Sequence, residues 1–178
     1  MKVNSFSSYR FTPVGHLLVN SPVGELELTA SADGIMAVLP VRRDIPVRWV
    51  TLMVDMDAST QKSIKRHLAL AKKELGAYFR GELTQFSVSL DLQGTDFQQQ
   101  VWQELQRIPY GSSDSYQAVA DRINRPKAVR AVGAANGANP AAIIVPCHRV
   151  IGKNGKLTGY VYGLEMKQYL LDLESRSQ

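Results

Sequence analysis

The sequence predicts an α+β protein, a small antiparallel sheet with one long helix followed by a helical C-terminal half. Three observations carry this. Residues 14 to 40 alternate polar and apolar side chains between tight-turn signals, as half-buried strands do. Ala58 to Arg80 repeats apolar residues at helical spacing. Beyond residue 93, short helical patterns separated by Gly, Pro and Asn replace the strands. A chain of 178 residues buries a proper core as one large domain or two small ones. We divide it into an N-terminal structural unit, 1–92, and a C-terminal unit, 93–178.

In the N-terminal unit, Gly15 to Asn20 is a first strand and Ser21-Pro22-Val23-Gly24 a turn. Glu25 to Thr29 alternates cleanly as a second strand, and Asp33-Gly34 is a hairpin signal before Ile35 to Leu39. Arg48 to Val54 reads as a further strand. The long helix is capped by Ser59 or Thr60, packs through Ile64, Leu68, Ala71, Leu75, Tyr78 and Phe79, and stops at Gly81. His67, beside that stripe, reads as a helix-surface residue. Phe86 to Leu90 alternates again and is expected to close the unit as a strand.

The C-terminal unit opens with a helix from Thr95, its cap, to about Arg107, with Phe97, Val101, Trp102 and Leu105 inward. Two short helices follow, Ser115 to Ile123 and Lys127 to Asn136, broken by Asn124-Arg125-Pro126. Such a pair reads as a helix-turn-helix or as ordinary core helices. The second is nearly all Ala, Val and Gly, with Arg130 its only long residue past the first turn. It lacks the side chains that read base edges in the major groove. A slim helix suits a narrow groove, with contacts to backbone and shape and little sequence preference. Leu164 to Glu174 is a last amphipathic helix, packing through Leu164, Tyr169, Leu170 and Leu173.

Charge and cysteine usage narrow the class. Met1 to Gln106 carries eleven Lys/Arg against eleven Asp/Glu, and Arg107 to Gln178 carries ten against five. The whole net excess of +5 therefore lies in the C-terminal half, which suits a polyanion-binding face or, on charge alone, a merely solvated basic surface. No segment resembles a signal peptide or a membrane span. The single cysteine excludes an internal disulfide and any multi-cysteine zinc site, and suits a reducing compartment, the cytoplasm.

That cysteine stands in Ile143-Ile144-Val145-Pro146-Cys147-His148-Arg149-Val150. A buried thiol filling core space is the plain reading. Three features favour a site instead. Pro146 marks a strand end, Arg149 lies two residues from the thiol, and the glycine-rich loop Gly152-Lys153-Asn154-Gly155 follows. We expect a strand that ends at Cys147. Neighbouring side chains of a strand point to opposite faces, so Cys147 and His148 would meet only through a bend or a water.

The stretch Pro146-Cys147-His148-Arg149-Val150-Ile151-Gly152 resembles the active-site signature of the O6-alkylguanine-DNA alkyltransferases. Asn139-Pro140 leads into that stretch, and four more segments resemble the family in order and spacing: Phe97 to Trp102, Ser115-Tyr116-Gln117, Arg130 to Gly133, and Tyr160 followed by a helix ending in Leu170-Leu171 and Glu174. The resemblance covers roughly residues 95 to 175. It implies a ribonuclease H-like N-terminal domain, a DNA-binding helix-turn-helix, and a suicide repair protein acting as a monomer on duplex DNA that carries O6-alkylguanine, with no cofactor.

It also implies roles. Cys147 takes the alkyl group. His148 accepts the thiol proton through a water, and Glu174 orients His148. Tyr116 helps rotate the nucleotide out of the stack and donates to guanine N3; otherwise it is a core tyrosine. Arg130 fills the vacated stack; otherwise it binds phosphate. Ser115, Lys127, Ala131 and Gly133 complete the DNA-binding face. Asn139 ties the helix pair to the active-site loop. The Cys147 and Val150 backbone accepts from the guanine amine, Tyr160 walls the pocket, and the Val161 N–H reaches O6. Arg149 braces the fold.

Two departures stand out. Where many members carry paired glycines after Tyr160 and a small residue, this chain has Val161-Tyr162-Gly163. Tyr162 puts bulk on the pocket lip, so methyl should be accepted better than benzyl. In the N-terminal unit only His16 and His67 could serve the structural zinc of some members, so no metal is expected. A lesion-binding relative that lacks the cysteine is disfavoured by Cys147, and a sequence-specific regulator by the bare second helix. A Cys-His hydrolase is disfavoured by the adjacency of Cys147 and His148.

Overall fold

The computed structural model describes residues 14–41, 56–153 and 155–176. Three antiparallel strands, β1 (Gly15–Ser21), β2 (Gly24–Ala30) and β3 (Ile35–Pro40), form a sheet in the order β1-β2-β3. The turn between β1 and β2 is two residues long, with Ser21 opposite Gly24. The expected strand at Arg48 to Val54 lies outside the described residues.

Helix α1 (Ala58–Phe79) packs on this sheet through Ile64, Leu68, Ala71, Leu75 and Tyr78. Its cap is Asp57, not Ser59 or Thr60. The Asp57 carboxylate accepts the N–H groups of both, so the cap lies ahead of either expected residue. Gly81 ends the helix at φ 73°, a left-handed value that glycine adopts freely. His67 is buried rather than on the surface, with Nε2 3.2 Å from the Ala32 carbonyl. The turn before β3 sits over that helix face and covers it.

Phe86 to Leu90 is not a strand. Its backbone N–H groups at Ser87 and Val88 are taken by the buried Glu74 carboxylate, which replaces a ladder partner. Only its end pairs with the sheet, through Ile35 N–H to Ser89 O at 2.8 Å and Asp91 N–H to Ile35 O at 2.9 Å. Gly34 permits that approach, since a Cβ there would lie 2.7 Å from the Ser89 carbonyl oxygen. Further along the same edge, Val38 bonds Pro140 O and receives the Ala142 N–H. The segment leading to Cys147 is thereby pinned to the N-terminal sheet, and Ile143, Ile144, Met166 and Leu170 share its core.

The second core belongs to the C-terminal helices α2 (Asp96–Gln106), α3 (Tyr116–Arg122) and α4 (Val129–Gly137). Thr95 and Gln98 form a reciprocal capping box on α2, and Ser115 caps α3. Asn124, at φ 57°, makes the tight turn, and α4 begins at Val129, two residues later than Lys127. Trp102 donates from α2 to Ala135 O of α4 at 2.8 Å. Two short parallel strands, β4 (Asp114–Ser115) and β5 (Val150–Ile151), join α3 to the segment that follows Cys147. Helix α5 (Leu164–Arg176) closes the chain, burying Met166, Lys167, Leu170 and Glu174. Leu164 and Tyr169 are exposed, because the buried stripe is rotated toward Lys167 and Glu174. Among the described residues no helix is long and apolar enough to cross a membrane.

Candidate active site

Cys147 does not end a strand. It opens a single 3-10 turn, Cys147–Arg149. The preceding segment is held by Asn139, whose Oδ1 accepts the Ala141 N–H at 3.0 Å and whose Nδ2 donates to Val145 O at 2.9 Å. This side chain stands in for a strand partner. Ile143 sits at φ 73°, unusual for a β-branched residue and worth about 1–3 kcal/mol of strain. Its side chain is fully buried in the N-terminal core, which offsets that cost. The chain therefore reverses sharply before Pro146, and the turn aims the next three side chains inward.

All three are buried, and their surroundings differ. The Cys147 thiol is 2% exposed and lies 4.0 Å from the Tyr160 hydroxyl. Burial pushes its pKa up; hydrogen bonds from Asn139 and Tyr160 and the Lys167 cation oppose this. His148 is held down by burial against the pull of Glu174. For Glu174 burial again opposes charge, but hydrogen bonds from His148 and Arg149 prevail and hold its carboxyl at about 2. Glu174 is thus an ionised acceptor, and His148 is a neutral imidazole. Nε2–H of His148 donates to Glu174 Oε1 at 2.8 Å. That tautomer leaves Nδ1 with a lone pair, and Nδ1 is buried without a protein hydrogen-bond partner among the described residues.

Arg149, expected only to brace the fold, braces the same carboxylate. Nε donates to Oε2 at 2.9 Å, Nη2 to Oε1 at 3.0 Å, and Nη1 to Ile108 O at 2.6 Å. Such a planar fork fits a carboxylate in two places at once. Gly111 N–H and Tyr78 O–H complete five donors on one carboxylate.

Cys147, His148, Glu174, Asn139 and Tyr160 are thus brought together. Tyr116 stands at their edge, half-buried, with its hydroxyl 3.5 Å from Thr158 O and its ring over Gly133. Arg130, Ala131 and Lys127 are exposed on α4 and its leading turn, outside the buried cluster. The Ser115 hydroxyl is engaged in capping α3. Val161 is exposed, and Tyr162 packs edge-on against Tyr160 with ring centroids 5.5 Å apart. A cleft of ≈ 400 Å³ lined by Pro40, Tyr160, Val161, Tyr162 and Gly163 opens there. The Cys147 carbonyl already accepts from Val150 N–H and Asn136 Nδ2, whereas Val150 O accepts the Lys167 ammonium at 2.6 Å.

Sequence reasoning missed Asn136, Lys167 and Tyr78. Lys167 had a signal, since it shares a helical stripe with Leu170 and Glu174. Asn136 and Tyr78 had none, because both look like ordinary helix residues until the fold supplies their partners.

Comparison with known proteins agrees along the whole described chain. The family model for the 6-O-methylguanine DNA methyltransferase ribonuclease-like domain matches residues 14–92, and that for its DNA binding domain matches 96–176. A methylated-DNA–protein-cysteine methyltransferase of Mycolicibacterium paratuberculosis is 49% identical over 158 residues, covering 89% of this chain and 90% of the relative. One from Methanosarcina acetivorans is 43% identical over 163 residues, covering 89% and 97%. The crystal structure of Mycobacterium tuberculosis OGT in complex with DNA superposes with a TM-score of 0.76 at 46% identity, over 90% of this chain and 92% of that one.

Proposed function

The chain belongs to the 6-O-methylguanine DNA methyltransferase family, and on that premise we propose that it is a suicide repair protein that moves the alkyl group of O6-alkylguanine in duplex DNA onto Cys147. The observation that carries the mechanism is the buried neutral His148, oriented by Glu174 through Nε2 and unpartnered at Nδ1. It is an imidazole poised to accept a proton from the neighbouring thiol through one water.

The target base is flipped out of the stack to reach the thiol. Arg130, exposed on slim α4, fills the gap it leaves, while Lys127 and the backbone near Ala131 and Gly133 track the phosphates. The thiol proton passes to His148 Nδ1, and Glu174 stabilises the imidazolium. The Cys147 sulfur attacks the alkyl carbon in line; the S–C bond forms as the C–O6 bond breaks. The electron pair goes to guanine O6, where the Val161 N–H receives it. Tyr116 donates to N3 as charge grows on the base. The guanine finally takes up the proton and leaves restored. The product thioether has no route back, so each chain acts once. Of the two carbonyls that face the guanine amine, Val150 O has room for a second donor beside the Lys167 ammonium, whereas Cys147 O already carries two.

Tyr162, edge-on to Tyr160, narrows the lip and favours methyl over benzyl. A faster reaction with a benzylated free base than with methylated DNA refutes that preference. Residues 1–92 serve as the structural unit and 93–178 as the alkyltransferase unit. A free thiol nucleophile fits the cytoplasm.

The test is intact-protein mass after incubation with a duplex carrying one O6-methylguanine. The expected result is a gain of one methylene unit per chain, on the peptide holding Cys147, that stops at one equivalent. Binding without mass change moves the protein to lesion recognition, and repeated turnover refutes the single-use mechanism.

A further inference from the structure

We propose that Tyr78 is a positioning residue of the proton relay. Its O–H, delivered from N-terminal helix α1 to the carboxylate oxygen that holds His148, sets how strongly Glu174 draws positive charge onto the imidazole. The inference rests on the relay described above and gives the N-terminal half a part in the chemistry.

The geometry is specific. Glu174 Oε1 accepts from Tyr78 Oη at 2.7 Å, from His148 Nε2 at 2.8 Å and from Arg149 Nη2 at 3.0 Å. Three donors share one oxygen, and each drains charge that the others would otherwise feel. The Tyr78 ring is fully buried and cannot swing away. It meets Phe79 at 5.5 Å and 75°, Phe86 at 5.5 Å and 36°, and Tyr110 at 6.0 Å and 83°. Burial and the Glu174 charge hold the phenol far above its ordinary value, so it remains a neutral donor throughout the working range.

Other groups also face this oxygen and its imidazole. Arg149 and the Gly111 N–H bind Glu174, and Arg149 and Lys167 act on His148. Tyr110 and Arg149 act on Tyr78. All of these come from the C-terminal half, and Tyr78 alone of the groups named here comes from α1. Removing its O–H leaves more negative charge on Oε1, which favours the imidazolium and raises the pKa of His148.

The test is the single-turnover rate of methyl transfer from a saturating O6-methylguanine duplex, followed from about pH 4.5 to 8. In the wild type the rate falls in acid as His148 becomes protonated. Tyr78→Phe is expected to move the midpoint of that fall upward by about 0.5–1 pH unit, a fraction of what a charge-assisted hydrogen bond contributes. Phe86→Leu loosens the same aromatic cradle and keeps the hydroxyl; it should lower the melting temperature and leave the midpoint in place. Should Tyr78→Phe fail to fold, site-specific 3-fluorotyrosine at position 78, a stronger donor of nearly the same shape, moves the midpoint down. An unmoved midpoint in a folded Tyr78→Phe, an equal shift in Phe86→Leu, or no downward shift with fluorotyrosine overturns the proposal. A wild type that transfers no methyl group, or shows no acid limb, refutes the relay itself, which separates the two failures.

Discussion

Glu174→Gln should be costly although it is a conservative substitution. The change keeps the shape and removes the charge. An amide offers one carbonyl oxygen where two carboxylate oxygens now accept five donors, and it points N–H groups at some of them. Arg149 is left buried without its counter-ion. The drop of the Glu174 carboxyl from 4.5 to about 2 corresponds to about 3 kcal/mol, at ~1.36 kcal/mol per pH unit. That agrees with the ~3–5 kcal/mol lost when one partner of a buried ion pair is removed. At ~2–4 °C per kcal/mol for a chain of this size, the melting temperature should fall by roughly 10 °C.

The sign with pH follows from the same shift. A depressed carboxyl contributes its full stability above the unfolded value of 4.5 and loses it as pH falls toward about 2. Urea unfolding of both proteins, repeated from pH 7 down to about 3, should show a gap that is constant above about pH 5 and narrows below 4.5. A loss under about 1 kcal/mol at pH 7, or a gap unchanged at pH 3, would refute the claim that this carboxylate holds the site together.

Three further outcomes are expected. His148→Ala should slow methyl transfer by on the order of 10²–10⁴ and make the rate climb with pH, because the buried thiol then ionises unaided; a stopped-flow pH profile checks this. Tyr162→Gly should speed reaction with O6-benzylguanine relative to O6-methylguanine DNA by opening the lip, measured by competing the two substrates. Arg130→Ala should slow transfer more on a fully paired duplex than on a lesion opposite an abasic gap, where no stack needs filling, as gel-resolved single-turnover assays would show.

Local chemistry was legible without the fold. Strands β1 to β3 and the five helices followed from periodicities that depend on near neighbours only, and Thr95, Ser115 and Gly81 marked their helix ends correctly for the same reason. Cys147 and its flanking residues stood out as the candidate nucleophile, because its isolation and neighbours are facts of the chain itself. Asp57 shows the limit of that reading: three capping residues within four positions compete, and the backbone angles choose among them.

What only the tertiary structure decided were the relations between distant residues. Cys147 sits in a 3-10 turn because the Asn139 side chain replaces a strand partner and the β3 edge holds the preceding backbone. Phe86 to Leu90 gave up its ladder because Glu74 took its N–H groups. His67 is inside because a turn from the sheet covers it. Glu174, by position an exposed carboxylate near the end of a helix, is ionised and buried because Tyr78, Gly111, His148 and Arg149 converge on it from three segments. Periodicity encodes which side of an element faces inward. It carries no record of what will be waiting there, and the charge states of His148 and Glu174 depend on that alone.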